Sequence, residues 1–290
     1  MKRSFKEALT SGKFLVTAEV ASPKGIDAGS LGPIVGNLKD TVDAIGVGDN
    51  PRGVMSMSPW AACHLISESG GEPIMHLTCR DRNRMALQSD LLAAAFLGIR
   101  NVLCVTGDHV RFGDHIDAMP VYDLDSVQLI EAVLSLTGGR DMTGHELTGA
   151  PEFCVGAVAN PESDPVGPQL FKFKKKLASG IDFVLTHPVF NPDNLAPFVS
   201  EAKEKGVKVI AGVSLLVAEE IPGYKDGSHP GLFVPDEVLA DIEGAGIEKG
   251  IEIAARLIGT IKDKGLCDGV HISAPGHEEK IIDIIKSSGI

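Results

Sequence analysis

The sequence of 290 residues lacks several patterns that identify a class of protein directly. Its five cysteines lie far apart and form no C-x-x-C pair, so neither a zinc ribbon nor an iron–sulfur cluster is expected in this chain. No apolar run reaches the roughly 18 residues of a membrane span, and the N-terminal MKRSFKEALTSGK contains no apolar core of a signal peptide. We therefore expect a cytoplasmic protein with reduced thiols and no membrane span.

An excess of basic residues is also absent. The 27 Lys and Arg residues against 39 Asp and Glu residues give a formal net charge of -12. Proteins that bind nucleic acid usually carry a basic face, so a nucleic-acid partner is not expected. The 43% hydrophobic and 23% charged residues are ordinary for a globular protein, and the length is sufficient to bury a full core.

Eight short apolar runs, each followed by a helical pattern, organise the whole chain. Near-continuous apolar runs are typical of parallel strands that are covered on both faces. The predicted strands are 14–20, 43–48, 73–79, 101–107, 153–160, 182–190, 207–213 and 268–274. Among the helices, one is predicted to begin at Ser58-Pro59, and another to be capped by Asp125 or Ser126 and to end at Gly138-Gly139.

Eight βα units in this length predict an α/β fold, a (β/α)8 TIM barrel that occupies residues 1–290 as a single domain. The alternative is a doubly wound open sheet. That fold normally carries G-x-G-x-x-G after its first strand, whereas this chain reads ASPKGIDAGSLG there. The barrel is therefore favoured, and it places the active site at the C-terminal ends of the strands.

Those strand ends carry many ionisable and amide side chains, which favours an enzyme. The predicted rim residues are Glu19, Asp49, Asn50, His76, Thr78, Asp108, His109, Asn160, Thr186, His187, Ser214 and His271. Glu19 is either an ordinary rim carboxylate or a general acid whose pKa is raised by partial burial. Asp108 either caps the next helix or faces the site, and the long loop of about 17 residues that follows it is typical of a lid or a substrate wall.

Two basic clusters are open to two interpretations each. Arg80 and Arg82 follow the third strand, where they either balance acidic neighbours or bind a phosphate or carboxylate. The run FKFKKK (171–176) is either a solvated helix face or a basic stripe that attracts an anionic cofactor. The stripe is possible because Lys172 and Lys176 are four residues apart and therefore lie on the same face of a helix.

Two other kinds of site are not expected. His76, His187 and His271 lie on three different strands and no H-x-H pair accompanies them, so we predict no metal site. The sixth strand ends in Thr186-His187 rather than in a lysine, which argues against a Schiff-base aldolase.

An ordered set of motifs nevertheless resembles one family. The strand that ends in Glu19 is followed by HLTCRDRNR (76–84), VTGDH (105–109), VANPESDP (158–165), FKFKKK, LTHPVFN (185–191), HPGLFVPDEV (229–238) and GVHI (269–272). Together these motifs, over roughly residues 10 to 285, resemble methylenetetrahydrofolate reductase. MSPWAACHLI and the run from Asp81 to His109 are similar to the form of that enzyme in anaerobes with one-carbon pathways.

The resemblance implies a flavin-containing barrel that interconverts 5,10-methylenetetrahydrofolate and 5-methyltetrahydrofolate, in one-carbon metabolism and methionine biosynthesis. It implies FAD or FMN as cofactor and NAD(P)H or a partner electron-transfer subunit as donor, in an oligomer or complex. Glu19 matches the general acid at folate N10. Asp108 matches the aspartate that contacts the pterin and the flavin, and His187 falls at the pterin-binding glutamine. The cofactor-binding positions would be Gly48, His76, Thr78, Asp108, Asn160, Asp164, Lys172, Lys175 and Lys176.

The chain departs from better-known bacterial members of that family beside the predicted acid. Where those members read F-E-F-F-P-P, this chain has Ala18 to Pro23, without the aromatic residues. Gly48 replaces a threonine and Asn160 replaces an aromatic residue. These changes bear on the nicotinamide site and on the choice of flavin, and we expect weak NADH oxidation by the isolated chain.

Two other functions remain open. In the first, the chain would be a flavin-free methyltransferase or lyase that binds a pterin. In the second, it would be an electron-accepting barrel subunit of a larger complex whose iron–sulfur clusters lie on another chain. Residues 219–235 are expected to form an insertion over the rim, as a lid or a partner surface.

Overall fold

The computed structural model describes residues 3–290 as eight strands alternating with helices. The strands are β1 (Leu15–Val20), β2 (Ala44–Val47), β3 (Pro73–Thr78), β4 (Asn101–Val105), β5 (Cys154–Ala159), β6 (Phe183–Pro188), β7 (Lys208–Ser214) and β8 (Gly269–Ser273). The helices are α1 (Phe5–Leu9), α2 (Leu31–Leu38), α3 (Pro59–Glu68), α4 (Arg84–Phe96), α5 (Ser126–Thr137), α6 (Gly167–Ser179), α7 (Ala196–Glu204), α8 (Ile221–Asp226), α9 (Asp236–Ile242), α10 (Ile247–Asp263) and α11 (Ile281–Ser288).

The strands form a closed barrel in chain order. Each strand pairs in parallel with the next, and β8 returns to pair with β1, with His271 opposite Thr17. The predicted (β/α)8 barrel is therefore confirmed and the open sheet is wrong. The ends of all eight predicted strands agree with the structure to within two residues.

The predicted start of α3 and the predicted N-cap of α5 are confirmed. Asp125 caps α5: its Oδ1 accepts hydrogen bonds from the backbone N–H groups of Val127 and Gln128, and Gln128 Oε1 accepts one from Asp125 N–H. Pro59 is the first residue of α3. The short helices α1, α8 and α9 were not predicted, because none of them is long enough to show a clear apolar period.

The interior of the barrel is apolar at its N-terminal end. Phe5 of α1 closes this end and meets the ring of Phe183 edge-on, with ring centroids 5.1 Å apart. Gly156 leaves room for that ring, since a Cβ there would lie 2.3 Å from Phe183 Cζ. The polar side chains Glu19, His76 and His271, which line the central cavity, lie nearer the other end of the barrel.

A second apolar layer lies between strands and helices. Leu15 points into the barrel, whereas Val16 packs in the outer layer, as the two-residue period of a strand requires. Each large aliphatic side chain buried there contributes about 1.5–3 kcal/mol. This layer supports the barrel independently of the side chains on its C-terminal rim. No helix among residues 3–290 has the length and apolar character needed to cross a bilayer.

Candidate active site

Three adjoining cavities open at the C-terminal ends of the strands. The central cavity, of about 280 Å³, is lined by Glu19, His76, Thr78, Asp108 and His187 above an apolar floor of Leu103, Val105, Val158 and Leu185. The outer cavity, of about 480 Å³, is lined by Val20, Met55, Ser214 and Leu232. The lysine cavity, of about 270 Å³, is lined by Thr106, Ser126, Lys172 and Lys176. The central and outer cavities share Glu19, and all three share His187.

Glu19 lies between two histidines that come from distant parts of the chain. Its Oε2 is 3.3 Å from His271 Nε2 and 3.9 Å from His76 Nδ1. The two imidazoles are buried, whereas 32% of the Glu19 side chain is exposed towards the cavities. The carboxylate is therefore accessible to a ligand while its partners are enclosed by the barrel.

The protonation of this cluster follows from burial and from the imidazoles. Burial by itself raises the pKa of Glu19, but the hydrogen bond from His271 and the charges of His76, His271 and His187 lower it to about 2. Burial lowers the pKa of His76 and of His187 to about 4. The alternative in which burial raises the pKa of Glu19 is thus wrong for the free site, because the neighbouring histidines were not visible in the pattern of the strand.

Glu19, His76 and His271 also each offer one potential metal-ligating atom, and these atoms lie within 4.8 Å of one another. A metal-binding imidazole normally donates its second N–H to an acceptor. His76 Nε2 instead faces Gly46, buried and without a hydrogen-bond partner. The surroundings of His76 thus favour a neutral imidazole over a metal ligand.

Arg80 and Arg82 both form ion pairs with acidic neighbours, as the first of the two interpretations of this cluster expects. Arg80 is 1% exposed and donates to both carboxylate oxygens of Asp81. Arg82 joins Asp49 to Asp90. Asp49 in turn accepts hydrogen bonds from the backbone and hydroxyl of Thr78. This network fixes Thr78 at the wall of the central cavity, next to Gly48, whose Cβ position is occupied by the Pro51 ring.

Asp108 faces both the central and the lysine cavity. Burial raises the pKa of its carboxyl, and the charges of Arg80 and Arg52 oppose that rise. The loop that follows Asp108 folds outward, where Asp114 forms an ion pair with Lys24. Among the described residues of this loop after Asp108, none lines the three cavities, so it does not form the expected substrate wall.

The lysines of α6 are divided between the site and the outer surface. Lys176 is buried, and its Nζ donates to the carbonyl of Val158 at 2.6 Å; burial and the charge of Lys172 lower its pKa to about 8. Lys172 reaches Thr106 Oγ1 at 3.4 Å. Lys175 is exposed and covers the ring of Phe171, and Asp164 is exposed outside the three cavities. The structure therefore brings Lys172 and Lys176 to the site, and leaves Lys175 and Asp164 outside it.

Residues 219–235, which we call the rim segment, lie over the cavities as expected for an insertion. Asn160 Nδ2 donates to the carbonyl of Gly231 at 2.8 Å, joining the end of β5 to this segment. Leu232 lines the outer cavity and Gly231 the lysine cavity. Asn160 thus has a structural partner as well as a place at the rim.

Two residues of the site were missed or undervalued in the sequence. Thr17 lies two positions before Glu19 on β1, and its side chain also points into the barrel. Its Oγ1 is 2.9 Å from His271 Nδ1. The strand period alone predicts that Thr17 and Glu19 share a face. His271 was recognised only as a rim residue, because its partner is 252 positions away in the sequence.

The chain is similar to one known protein family over almost its whole length. The family model described as methylenetetrahydrofolate reductase matches residues 4–289. A probable methylenetetrahydrofolate reductase (NADPH) of Caenorhabditis elegans is 24% identical over 263 residues, covering 84% of this chain and 36% of the relative. Methylenetetrahydrofolate reductase 2 of Schizosaccharomyces pombe is 22% identical over 242 residues, covering 74% and 35%. The chain thus spans little more than a third of the length of these relatives.

Solved structures share the fold at low identity. A protein from Clostridium thermocellum, described as binding two copies of 5-methyl-5,6,7,8-tetrahydrofolic acid, has a TM-score of 0.66 and 12% identity, with 98% of both chains covered. EDTA monooxygenase from Chelativorans sp. BNC1 has a TM-score of 0.63 and 10% identity, covering 96% of this chain and 94% of the neighbour.

Proposed function

This chain belongs to the methylenetetrahydrofolate reductase family, and on that premise we propose that it interconverts 5,10-methylenetetrahydrofolate and 5-methyltetrahydrofolate. The observation that carries the proposal is the position of Glu19. It is the partly exposed carboxylate between the central and outer cavities, at the C-terminal end of the barrel, where enzymes of this fold bind substrate. The solved neighbour described as binding 5-methyltetrahydrofolic acid is consistent with a folate ligand.

The polar groups around the central cavity suit a pterin. Asp108 offers carboxylate oxygens to the N–H groups of such a ring, and His187 offers a neutral imidazole at its edge because its pKa is lowered to about 4. The apolar floor of Leu103, Val105, Val158 and Leu185 would contact the face of a flat ring.

The residues of the lysine cavity suit the polar chain of a flavin. Ser126 Oγ is buried without a hydrogen-bond partner at the start of α5, and Lys172 and Lys176 supply positive charge nearby. These three residues, with Thr78 and Asn160, would hold the cofactor, as FAD or FMN. A bound flavin would supply the hydride that the reaction needs.

Glu19 supplies the proton step. Opening of the five-membered ring of the substrate requires a proton at N10, and Glu19 would donate it from Oε2. Its pKa of about 2 in the free site means that the carboxyl must gain a proton before or during catalysis. Filling the cavities with substrate removes water from the exposed part of Glu19, which favours the protonated form.

The electron donor is NAD(P)H or a partner subunit that carries iron–sulfur clusters, and we expect the chain to work in an oligomer or complex. Ala18, Val20 and Ala21 stand where better-known bacterial members of the family carry the aromatic wall beside the acid. We therefore expect weak NADH oxidation by the isolated chain. A normal NADH-to-flavin rate for the chain alone would contradict this expectation.

The proposal is tested by an anaerobic absorbance spectrum of the protein, reconstituted with FAD or FMN, before and after addition of 5-methyltetrahydrofolate. Flavin bands that bleach would support the proposal. Bands that persist would favour the electron-accepting subunit, and failure to bind either flavin would favour the flavin-free pterin enzyme.

Variants of Glu19 distinguish the proton-donation step from reduction of the flavin. Glu19→Gln should bind flavin and accept electrons from a chemical reductant, but should lose conversion of methylenetetrahydrofolate by at least about 100-fold. Glu131→Gln is the matched control, because Glu131 is exposed on α5 and lines none of the three cavities. Loss of flavin binding in Glu19→Gln would point to a structural role instead.

A further inference from the structure

We propose that His271 stores the proton that Glu19 delivers, and that Thr17 is the positioning residue that holds His271 ready for this transfer. The proposal rests on the proposed function, since folate N10 is the final acceptor. It assigns roles to Thr17, which the sequence did not place in the site, and to His271, which the sequence placed only on the rim.

The three side chains form a continuous hydrogen-bonded chain across the β8–β1 seam of the barrel. Thr17 Oγ1 is 2.9 Å from His271 Nδ1, and His271 Nε2 is 3.3 Å from Glu19 Oε2. Thr17 and His271 are register partners on the two strands, so the barrel itself fixes their separation. Thr17 is fully buried and His271 is 6% exposed, whereas Glu19 reaches the cavities. The chain therefore runs from the interior to the position of the substrate.

The hydroxyl of Thr17 can fix the orientation of the imidazole. Its oxygen can accept a hydrogen bond from His271 Nδ1–H while its hydrogen points to the carbonyl of Val270, 3.4 Å away. Nδ1 then keeps its proton, and Nε2 is the nitrogen that exchanges a proton with Glu19. Without this acceptor, the buried Nδ1–H would lose its partner.

Transfer within the pair moves one proton and no net charge. In one state Nε2 carries the proton and Glu19 is a carboxylate; in the other the Oε2–H bond has formed and Nε2 has a free lone pair. Donation then breaks the Oε2–H bond and forms the N10–H bond, leaving a carboxylate and a neutral imidazole. Solvent returns a proton to the pair after the product leaves.

The surrounding groups identify His271 as the hydrogen-bonding partner of Glu19. The titratable groups that face Glu19 are His76 from β3, with Asp49 behind it, His187 from β6, and His271 from β8. Burial keeps His76 and His187 neutral at pH 7, since it lowers the pKa of each to about 4. His271 alone among them is within hydrogen-bonding distance of Glu19.

The first test is the pH dependence of the folate half-reaction, measured with the full chain and bound flavin. Activity needs one proton on the pair, so it is lost as pH rises through the deprotonation of the pair. Thr17→Val removes a hydrogen bond that is stronger from the charged imidazolium than from the neutral imidazole, and it should move this alkaline limb to lower pH by up to about one unit. Thr17→Ser keeps the hydroxyl, so its alkaline limb should lie at the same pH as that of the wild type.

Two further variants complete the series. His271→Gln keeps a hydrogen-bond donor but cannot store a proton, so turnover at pH 7 should fall by at least about 100-fold while chemical reduction of the flavin is unchanged. Thr137→Val removes a hydroxyl that bonds only within α5 and controls for loss of a threonine. Equal loss of activity at every pH in Thr17→Val, or a wild-type profile in His271→Gln, would overturn the proposal.

A second test does not depend on turnover. The ring nitrogens of His271, assigned by comparing ¹⁵N-histidine spectra of the wild type and His271→Gln, should show a protonated Nδ1 and a titration at Nε2. Glu19→Gln should move that titration to lower pH, since it removes the negative charge beside Nε2. An unchanged titration would overturn the proton store even if the protein proved inactive on folate, whereas inactivity with the expected titration would count against the proposed function alone.

A metal ion is the remaining competitor for the same atoms. Zinc should be absent from the purified protein by elemental analysis, and added Zn²⁺ should not alter the His271 signals at equimolar concentration. Stoichiometric zinc that is lost in His271→Gln would replace the proton store with a metal site.

Discussion

Arg82 donates hydrogen bonds to both carboxylate oxygens of Asp49, at 2.7 and 3.3 Å, and the Asp49 side chain is entirely buried. The same carboxylate accepts two hydrogen bonds from Thr78 at the wall of the central cavity. Arg82 also pairs with Asp90 of α4, so these ion pairs connect α4, the end of β2 and the end of β3. The geometry of the cavity wall depends on the Asp49–Arg82 pair.

The first prediction concerns stability. Arg82→Met leaves the carboxylate of Asp49 buried without its cation, and the free energy of unfolding should fall by about 3 kcal/mol. Arg84→Met breaks an exposed pair with Asp123 and should cost at most about 1 kcal/mol. Urea unfolding of both variants checks this contrast. Equal losses in the two variants would show that burial of the Asp49–Arg82 pair does not matter.

The second prediction concerns the space beside the histidines. A Cβ at Gly46 would lie 2.8 Å from His76 Nε2 and 3.2 Å from His271 Cε1. Gly46→Ala should therefore displace the imidazoles and lower folate turnover by at least about tenfold, since small displacements of catalytic groups are costly. Gly36→Ala on α2 meets nothing within 4 Å and should leave turnover unchanged. Wild-type activity in Gly46→Ala would contradict the tight packing around His76.

The third prediction concerns pH and stability. The pKa of His187 is lowered to about 4 in the folded protein, so the unfolded chain binds a proton between about pH 6.5 and 4 that the folded protein does not bind. Stability due to this group is present above that range and is lost as the pH falls through it. His187→Gln should reduce proton uptake on unfolding by about one proton, measured by urea titrations at pH 7.5, 5.5 and 4.5. His145→Gln, at a side chain that is 83% exposed, should show the wild-type slope.

The fourth prediction concerns the rim segment. Asn160→Ala removes the hydrogen bond to the Gly231 carbonyl, and an ordinary hydrogen bond contributes about 1 kcal/mol. Opening of residues 219–235 should therefore become about fivefold more frequent, detected as faster hydrogen exchange or proteolysis there. Asn37→Ala, at an exposed position of α2, is the control. Unchanged exchange in Asn160→Ala would mean that other contacts hold the segment.

The architecture was accessible from the sequence because its signals are local. An apolar run of six to nine residues between helical patterns predicts a buried parallel strand without knowledge of its neighbours. The N-cap at Asp125 and the start of α3 at Pro59 depend only on residues within one helical turn. Glu19, Asp108 and His187 could be placed at the rim for the same reason, since each follows from its position at the end of its strand.

The electrostatics of the site required the tertiary structure. The low pKa of Glu19 depends on His76, His187 and His271, which are brought together by closure of the barrel and not by any spacing in the sequence. The face that α6 turns towards the barrel likewise decided that Lys176 is buried and Lys175 is exposed, although the two residues are adjacent in the sequence. The sequence by itself determined the order of strands and the supply of polar groups to one rim. Which of those groups touch, and which therefore hold a charge or a proton, was decided by long-range packing, because burial and Coulomb interactions act through distances in space.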